Sequence, residues 1–208
     1  MNKNIRIFFM KTGRIKFISH LDLQRTMQRA LKRSGLPVWE TEGFNPHIYL
    51  TFALPLSLGI ESVCESFDVK MTEEIKFDEI CKKLNAVLTE DLQIIKAAEP
   101  LYKSTDIKKA EYEIILEQTE EFIKFLQQEK IIITKKSKKG EVQVDLKPLI
   151  GLKSCGNGKI TIFLPAGTVL SINPNQVINA FKTFLGVESL KTKIKRTAVF
   201  CENGEHFN

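Results

Sequence analysis

No run of apolar residues in this 208-residue chain approaches the roughly 20 needed to cross a bilayer. The apolar stretch at residues 5–10 is too short for a signal peptide and no cleavage site follows it, so a cytoplasmic protein with no membrane contact is expected. Cysteine is scarce. Cys64, Cys81, Cys155 and Cys201 are widely separated, with no Cys-x-x-Cys pair, which removes local zinc and iron–sulfur motifs and, in a reducing compartment, disulfides. Histidine is scarcer still, at His20, His47 and His206, so a histidine-rich metal centre is not expected. Also missing are a P-loop, a dinucleotide-binding glycine pattern and a nucleophile elbow. The expectation is a chain without metal or cofactor. Disorder is disfavoured as well, because 43% hydrophobic and 27% charged residues is the composition of a globular protein.

What the chain does have is a lopsided charge. Residues 1–60 carry nine Lys/Arg against three acids (Asp22, Glu40, Glu42), whereas residues 61–208 carry 22 of each sign. The whole net charge of +6 therefore sits in the first 60 positions. Five of the six arginines (Arg6, Arg14, Arg25, Arg29, Arg33) lie within the first 33. Arginine forks onto phosphate and stacks on bases, so the bias points to a nucleic-acid partner more than a lysine excess would.

Periodicity divides the chain into alternating strands and helices. Residues 5–10 read as a strand, and 14–18 as a second short strand or its continuation past Gly13. Ser19 with Asp22 three residues on opens a helix. Leu23, Met27, Ala30 and Leu31 give that helix one apolar face, and Gly35 and Pro37 end it. Strands are expected at 38–42, 48–53 and 63–71, a helix from Phe77 to Leu88, and a strand at 92–97. The second half repeats the theme, with strands at 111–117, 131–135, 141–145, 159–164 and 192–200. Its helices are expected at 120–128 and after Asn173 or Asn175, where capping starts the second. The fold class expected is α+β: two tandem ferredoxin-like (split βαβ) units with antiparallel sheets, at residues 1–99 and 107–208. One continuous α+β domain is the alternative.

Residues 14–59 carry the densest signal. On the first helix Arg25, Arg29 and Lys32 recur at i, i+4 and i+7 as a basic stripe opposite the apolar face, with Arg33 beside it. Arg14 and Lys16 add charge on the segment before it. His20 sits at the helix start, where free backbone N–H groups favour anions. The nucleic-acid-binding set expected is therefore Arg14, Lys16, His20, Arg25, Arg29, Lys32, Arg33, Asn45 and His47. The plainer reading makes the stripe a solvated helix face and His20 a packing residue. If the chain is an enzyme, His20 is the general acid or base and Asp22 its orienting partner. Gly43-Phe44-Asn45-Pro46 reads as a tight turn in which Phe44 either plugs the core or, if exposed, stacks a base. The apolar loop at 54–59 packs under a sheet edge or docks on a partner protein. The lysines around 135–139 read as a hairpin tip or a second basic contact.

Four blocks in order, Phe17-Ile-Ser-His-Leu-Asp-Leu-Gln-Arg, Arg29-Ala-Leu-Lys-Arg-Ser-Gly-Leu-Pro, Gly43-Phe-Asn-Pro-His and Leu54-Pro-Leu-Ser-Leu-Gly, resemble the radical-SAM-linked family, a bacterial domain of unknown function. The resemblance covers Arg6 to about Ser62 and is general in character beyond it. The chain departs from the family where a proline and a basic residue commonly follow Asn-Pro-His, having Ile48 and Tyr49 instead. Members are fused to, or encoded beside, a radical SAM protein. Because this chain has no Cys-x-x-x-Cys-x-x-Cys cluster motif, the resemblance implies a separately encoded radical SAM partner. The expected role is then an accessory or substrate-recognition module that binds structured RNA (tRNA or rRNA), more a binder than an enzyme. An RNA-processing enzyme using His20, or a protein–protein adaptor, are the alternatives.

Overall fold

Nine consecutive residues, Lys3–Lys11, form the first strand (β1) of a computed structural model that describes residues 3–137 and 140–208. β1 is buried over most of its length, as a strand flanked on both sides must be. It pairs antiparallel with β3 (Glu61–Met71) on one side and with β4 (Leu92–Ala98) on the other. The short strand β2 (Leu50–Phe52) pairs antiparallel with β3, giving the order β4-β1-β3-β2. Helices α1 (His20–Arg33) and α2 (Phe77–Asn85) pack on this sheet. The core joins Ile7, Phe9, Phe67 and Val69 of the strands to Leu23, Met27, Leu31, Ile80 and Leu84 of the helices. Each such side chain contributes about 1.5–3 kcal/mol by leaving water. These elements, residues 1–106 with His206–Asn208, form one compact unit; Ile107–Glu205 form a second.

The second unit contains β5 (Ile107–Ile115), α3 (Thr119–Leu126), the paired strands β6 (Ile132–Ser137) and β7 (Gly140–Asp145), β8 (Gly151–Gly156), β9 (Lys159–Pro165), α4 (Pro174–Leu185) and β10 (Lys193–Cys201). Its sheet runs β10-β5-β9-β8, with every neighbouring pair antiparallel. Phe122 and Phe125 of α3 meet Phe181 and Phe184 of α4 ring to ring, with centroids 5.0–5.7 Å apart. Asn173 caps α4 through a reciprocal capping box with Gln176, while Gly186 ends it in the left-handed region. The chain is thus α+β, with four α-helices and mostly antiparallel strand pairing among the described residues. No helix among the described residues is long and apolar enough to cross a membrane.

Three local expectations are corrected. Residues 14–18 are not a strand. Gly13 takes φ +52°, the Asp91 carboxylate accepts the Arg14 N–H at 3.1 Å, and Gly13–Phe17 closes into a 3-10 turn. Residues 38–42 make only isolated bridges, Val38 with Met71 and Glu40 with Ile48. Phe44 does not plug the core, because its side chain is fully exposed on a loop whose residues 42–47 all face solvent. The lysine-rich tip at 138–139 lies outside the described residues, as do the side chains of 135–137.

Candidate nucleic-acid interface

α1 begins where Ser19 accepts the Asp22 N–H at 3.1 Å and donates its hydroxyl to Asp22 Oδ2 at 2.7 Å. Asp22 Oδ1 also faces Arg25 Nη1 at 3.7 Å. The carboxylate of Asp22 is thereby held by the cap and by the basic stripe. His20 turns elsewhere, setting its ring edge-on to Phe52 at 4.9 Å. Residues two apart on a helix point to different faces, and among the described residues no hydrogen bond joins His20 to Asp22.

The apolar face of α1 (Leu23, Met27, Ala30, Leu31) is fully inside, which forces the Arg25, Arg29 and Lys32 face outward. The chain returns past this face at Glu40 to Ile48. There Thr41 and His47 close the base of a loop, the Thr41 N–H donating to the His47 carbonyl at 2.8 Å and the His47 N–H to Thr41 Oγ1 at 3.2 Å. His47 Nδ1 lies 3.1 Å from the Asn45 carbonyl. Thr41 Oγ1 lies 3.0 Å from the same nitrogen, so the ring is held to the base of the loop from two sides. Gln28 of α1 ties the returning chain down by donating to the Ile48 carbonyl at 2.7 Å.

Between helix and loop lies an open concavity of about 190 Å³ whose lining includes Arg25, Arg29, Lys32, Glu40, Pro46 and His47. It carries three cations against one carboxylate. Lys32 and Glu40 meet at 3.7 Å, with Lys32 76% exposed, and an exposed pair of that kind is worth about 1 kcal/mol or less. A phosphate can therefore displace it. Arg29 is exposed and, among the described residues, its guanidinium has no protein partner. A concavity with fork-shaped donors and a net positive charge suits one or two phosphate groups.

The structure brings Arg25, Arg29, Lys32 and His47 together and separates the rest of the expected set. Lys16 is half-buried and bound to Glu61 at 2.9 Å. Arg33 donates to the Val87 carbonyl at 3.1 Å. Arg14 is exposed on the 3-10 turn, and Asn45 is exposed in the loop above His47. Arg6, counted in the basic excess, is internal, gripping Asp68 with two hydrogen bonds at 2.7 and 2.9 Å. Sequence reasoning missed Gln28 and Glu40. Gln28 was readable, standing three residues from Arg25 on the same face, whereas nothing local marked Glu40. Among the described residues no three histidine, cysteine or carboxylate side chains converge as metal ligands, and none of the four cysteines is in a disulfide.

A family model described as "Uncharacterized protein conserved in bacteria (DUF2344)" matches residues 4–174, which include the whole concavity. No curated protein matches the chain.

Proposed function

The chain belongs to this family of uncharacterised proteins conserved in bacteria, and from that premise we propose that it is a non-catalytic accessory module that binds structured RNA beside a separate radical SAM enzyme. One observation carries the RNA half of this reading. Arg25, Arg29 and Lys32 open onto a single concavity, and among the described residues no protein group holds Arg29. The radical SAM half rests on the sequence blocks at residues 17–25, 29–37, 43–47 and 54–59. We read both units as ferredoxin-like. The order β4-β1-β3-β2 in the first and β10-β5-β9-β8 in the second support this, with the β6–β7 pair inserted in the second.

The test is RNA affinity of the wild type against an Arg25→Ala/Arg29→Ala variant, measured by fluorescence anisotropy on total tRNA. The reading predicts a loss of tenfold or more in the variant. Equal affinity sinks it. Catalysis by His20 has less support, because its ring packs on Phe52 and Asp22 is engaged elsewhere. Incubation of RNA with the protein and its radical SAM partner should give the same products for the wild type and for His20→Ala.

A second reading, protein–protein adaptor, is favoured by the exposed apolar side chains Phe17, Leu21 and Leu58. Phe17 lies against Gly59, whose N–H donates to the Lys16 carbonyl at 2.9 Å. Nuclease-resistant co-purification of the radical SAM protein, lost in a Phe17→Ser/Leu58→Ser variant, would favour this contact.

A further inference from the structure

Phe44 is 106% exposed, which leaves its ring entirely in water. A lone exposed apolar residue needs no explanation by itself; the mounting of this one does. It stands at the tip of a loop whose base is closed by the Thr41–His47 hydrogen bonds and by the Glu40–Ile48 bridge. Gly43 takes φ +118°, a conformation that side-chain-bearing residues rarely adopt, and so fixes how the tip projects. Pro46 and His47, two and three residues on, form a wall of the basic concavity. Two residues of chain span at most about 7 Å, so the Phe44 backbone lies within that distance of Pro46 on the wall of the concavity.

We propose that Phe44 stacks on an unpaired base whose neighbouring phosphate lies on Arg25 and Arg29, which makes the ligand a single-stranded stretch, loop or bulge of RNA rather than a regular duplex. The proposal rests on the reading of the concavity as an RNA phosphate site. Inside an A-form helix both faces of a base are covered by its neighbours, and recognition runs through backbone and 2′-hydroxyls. An aromatic ring in water finds a partner only in a base that has left the stack. Stacking of this kind tolerates any base, since all have a flat π face. Charge and ring then divide the work: the arginines hold the strand and Phe44 selects for unpaired nucleotides.

The experiment uses the full chain with two fluorescein-labelled probes, an RNA hairpin with an unpaired loop and a blunt duplex of the same stem. Wild type should prefer the hairpin. Phe44→Ala should weaken hairpin binding by roughly tenfold, leave duplex binding and the salt dependence unchanged, and be rescued by Phe44→Tyr. Equal weakening of both probes, or unchanged hairpin affinity while Arg25→Ala/Arg29→Ala still weakens it, overturns the stacking role alone and assigns the ring to a protein contact. Absence of binding to either probe by wild type overturns this proposal together with the RNA reading beneath it.

Discussion

Replacing Arg6 by methionine keeps most of the side chain's volume and removes its charge. Arg6 is 1% exposed and Asp68 36%, so the pair lies between two limits. Removing one partner of a fully buried pair costs about 3–5 kcal/mol, and breaking an exposed pair about 1 kcal/mol or less. Three losses follow from the geometry: both bonds to Asp68, a third to the Asn208 carbonyl at 3.0 Å, and the guanidinium 4.2 Å from the Phe207 ring. Two of these are softened. Asp68 rehydrates from its open side, and the Asn208 carbonyl still accepts the Leu101 N–H at 3.4 Å. The expected cost is about 2–3 kcal/mol. Trp39, the sole tryptophan, belongs to the same unit, so its fluorescence reports urea unfolding of the affected part. At a slope of about 1–3 kcal/mol per molar urea, the midpoint should fall by about 1–2 M. Paired with Asp68→Asn in a double-mutant cycle, the two changes should be strongly non-additive. Strict additivity, or a midpoint shift under about 0.3 M, would refute the reasoning. RNA affinity should not change, because Arg6 lines no part of the basic concavity.

Two further outcomes are expected. Gly13→Ala should destabilise by about 1–3 kcal/mol in the same urea assay, since the left-handed backbone disfavours a side chain and the new Cβ would lie 2.2 Å from Asp91 Oδ1; a wild-type midpoint would contradict this. The Asp145 carboxyl is held below the usual aspartate range by the N–H groups of Ile131 and Lys147, each 2.9 Å from Oδ1. Its folded pKa is lowered, so its stabilisation is complete above the ordinary value of about 3.9 and is lost as pH falls through the lowered one. Denaturation midpoints across the acid range should show this limb in wild type and a flatter one in Asp145→Asn; identical curves would rule it out.

The parts of the fold that were legible in the sequence are those set by local physics. The period of Leu23, Met27, Ala30 and Leu31, with Ser19 before and Gly35 after, placed α1 closely. The Asn173 cap did the same for α4. β8 escaped notice because Gly151–Gly156 is almost wholly exposed and has no apolar alternation. Residues 14–18 misled because Ile15 and Phe17 alternate like a strand, while the turn is made by Asp91, far away in sequence. The site behaved likewise. Helical spacing alone joined Arg25, Arg29 and Lys32. That Lys16 and Arg6 are tied to carboxylates 45 and 62 residues distant is encoded by no local pattern. Phe44 had two readings until the loop base was seen to close beneath it.

The central claim is that Arg25, Arg29 and Lys32 act together on phosphates, and the salt dependence of RNA affinity tests it most directly. Three phosphate contacts predict a slope of log K against log salt of about −2 to −3, or a roughly 20–40-fold loss between about 50 and 200 mM. In Arg25→Ala/Arg29→Ala the slope should shrink to about −1, roughly a threefold loss over the same range. A wild-type affinity that is flat with salt, or a slope unaltered by the double substitution, would contradict the account.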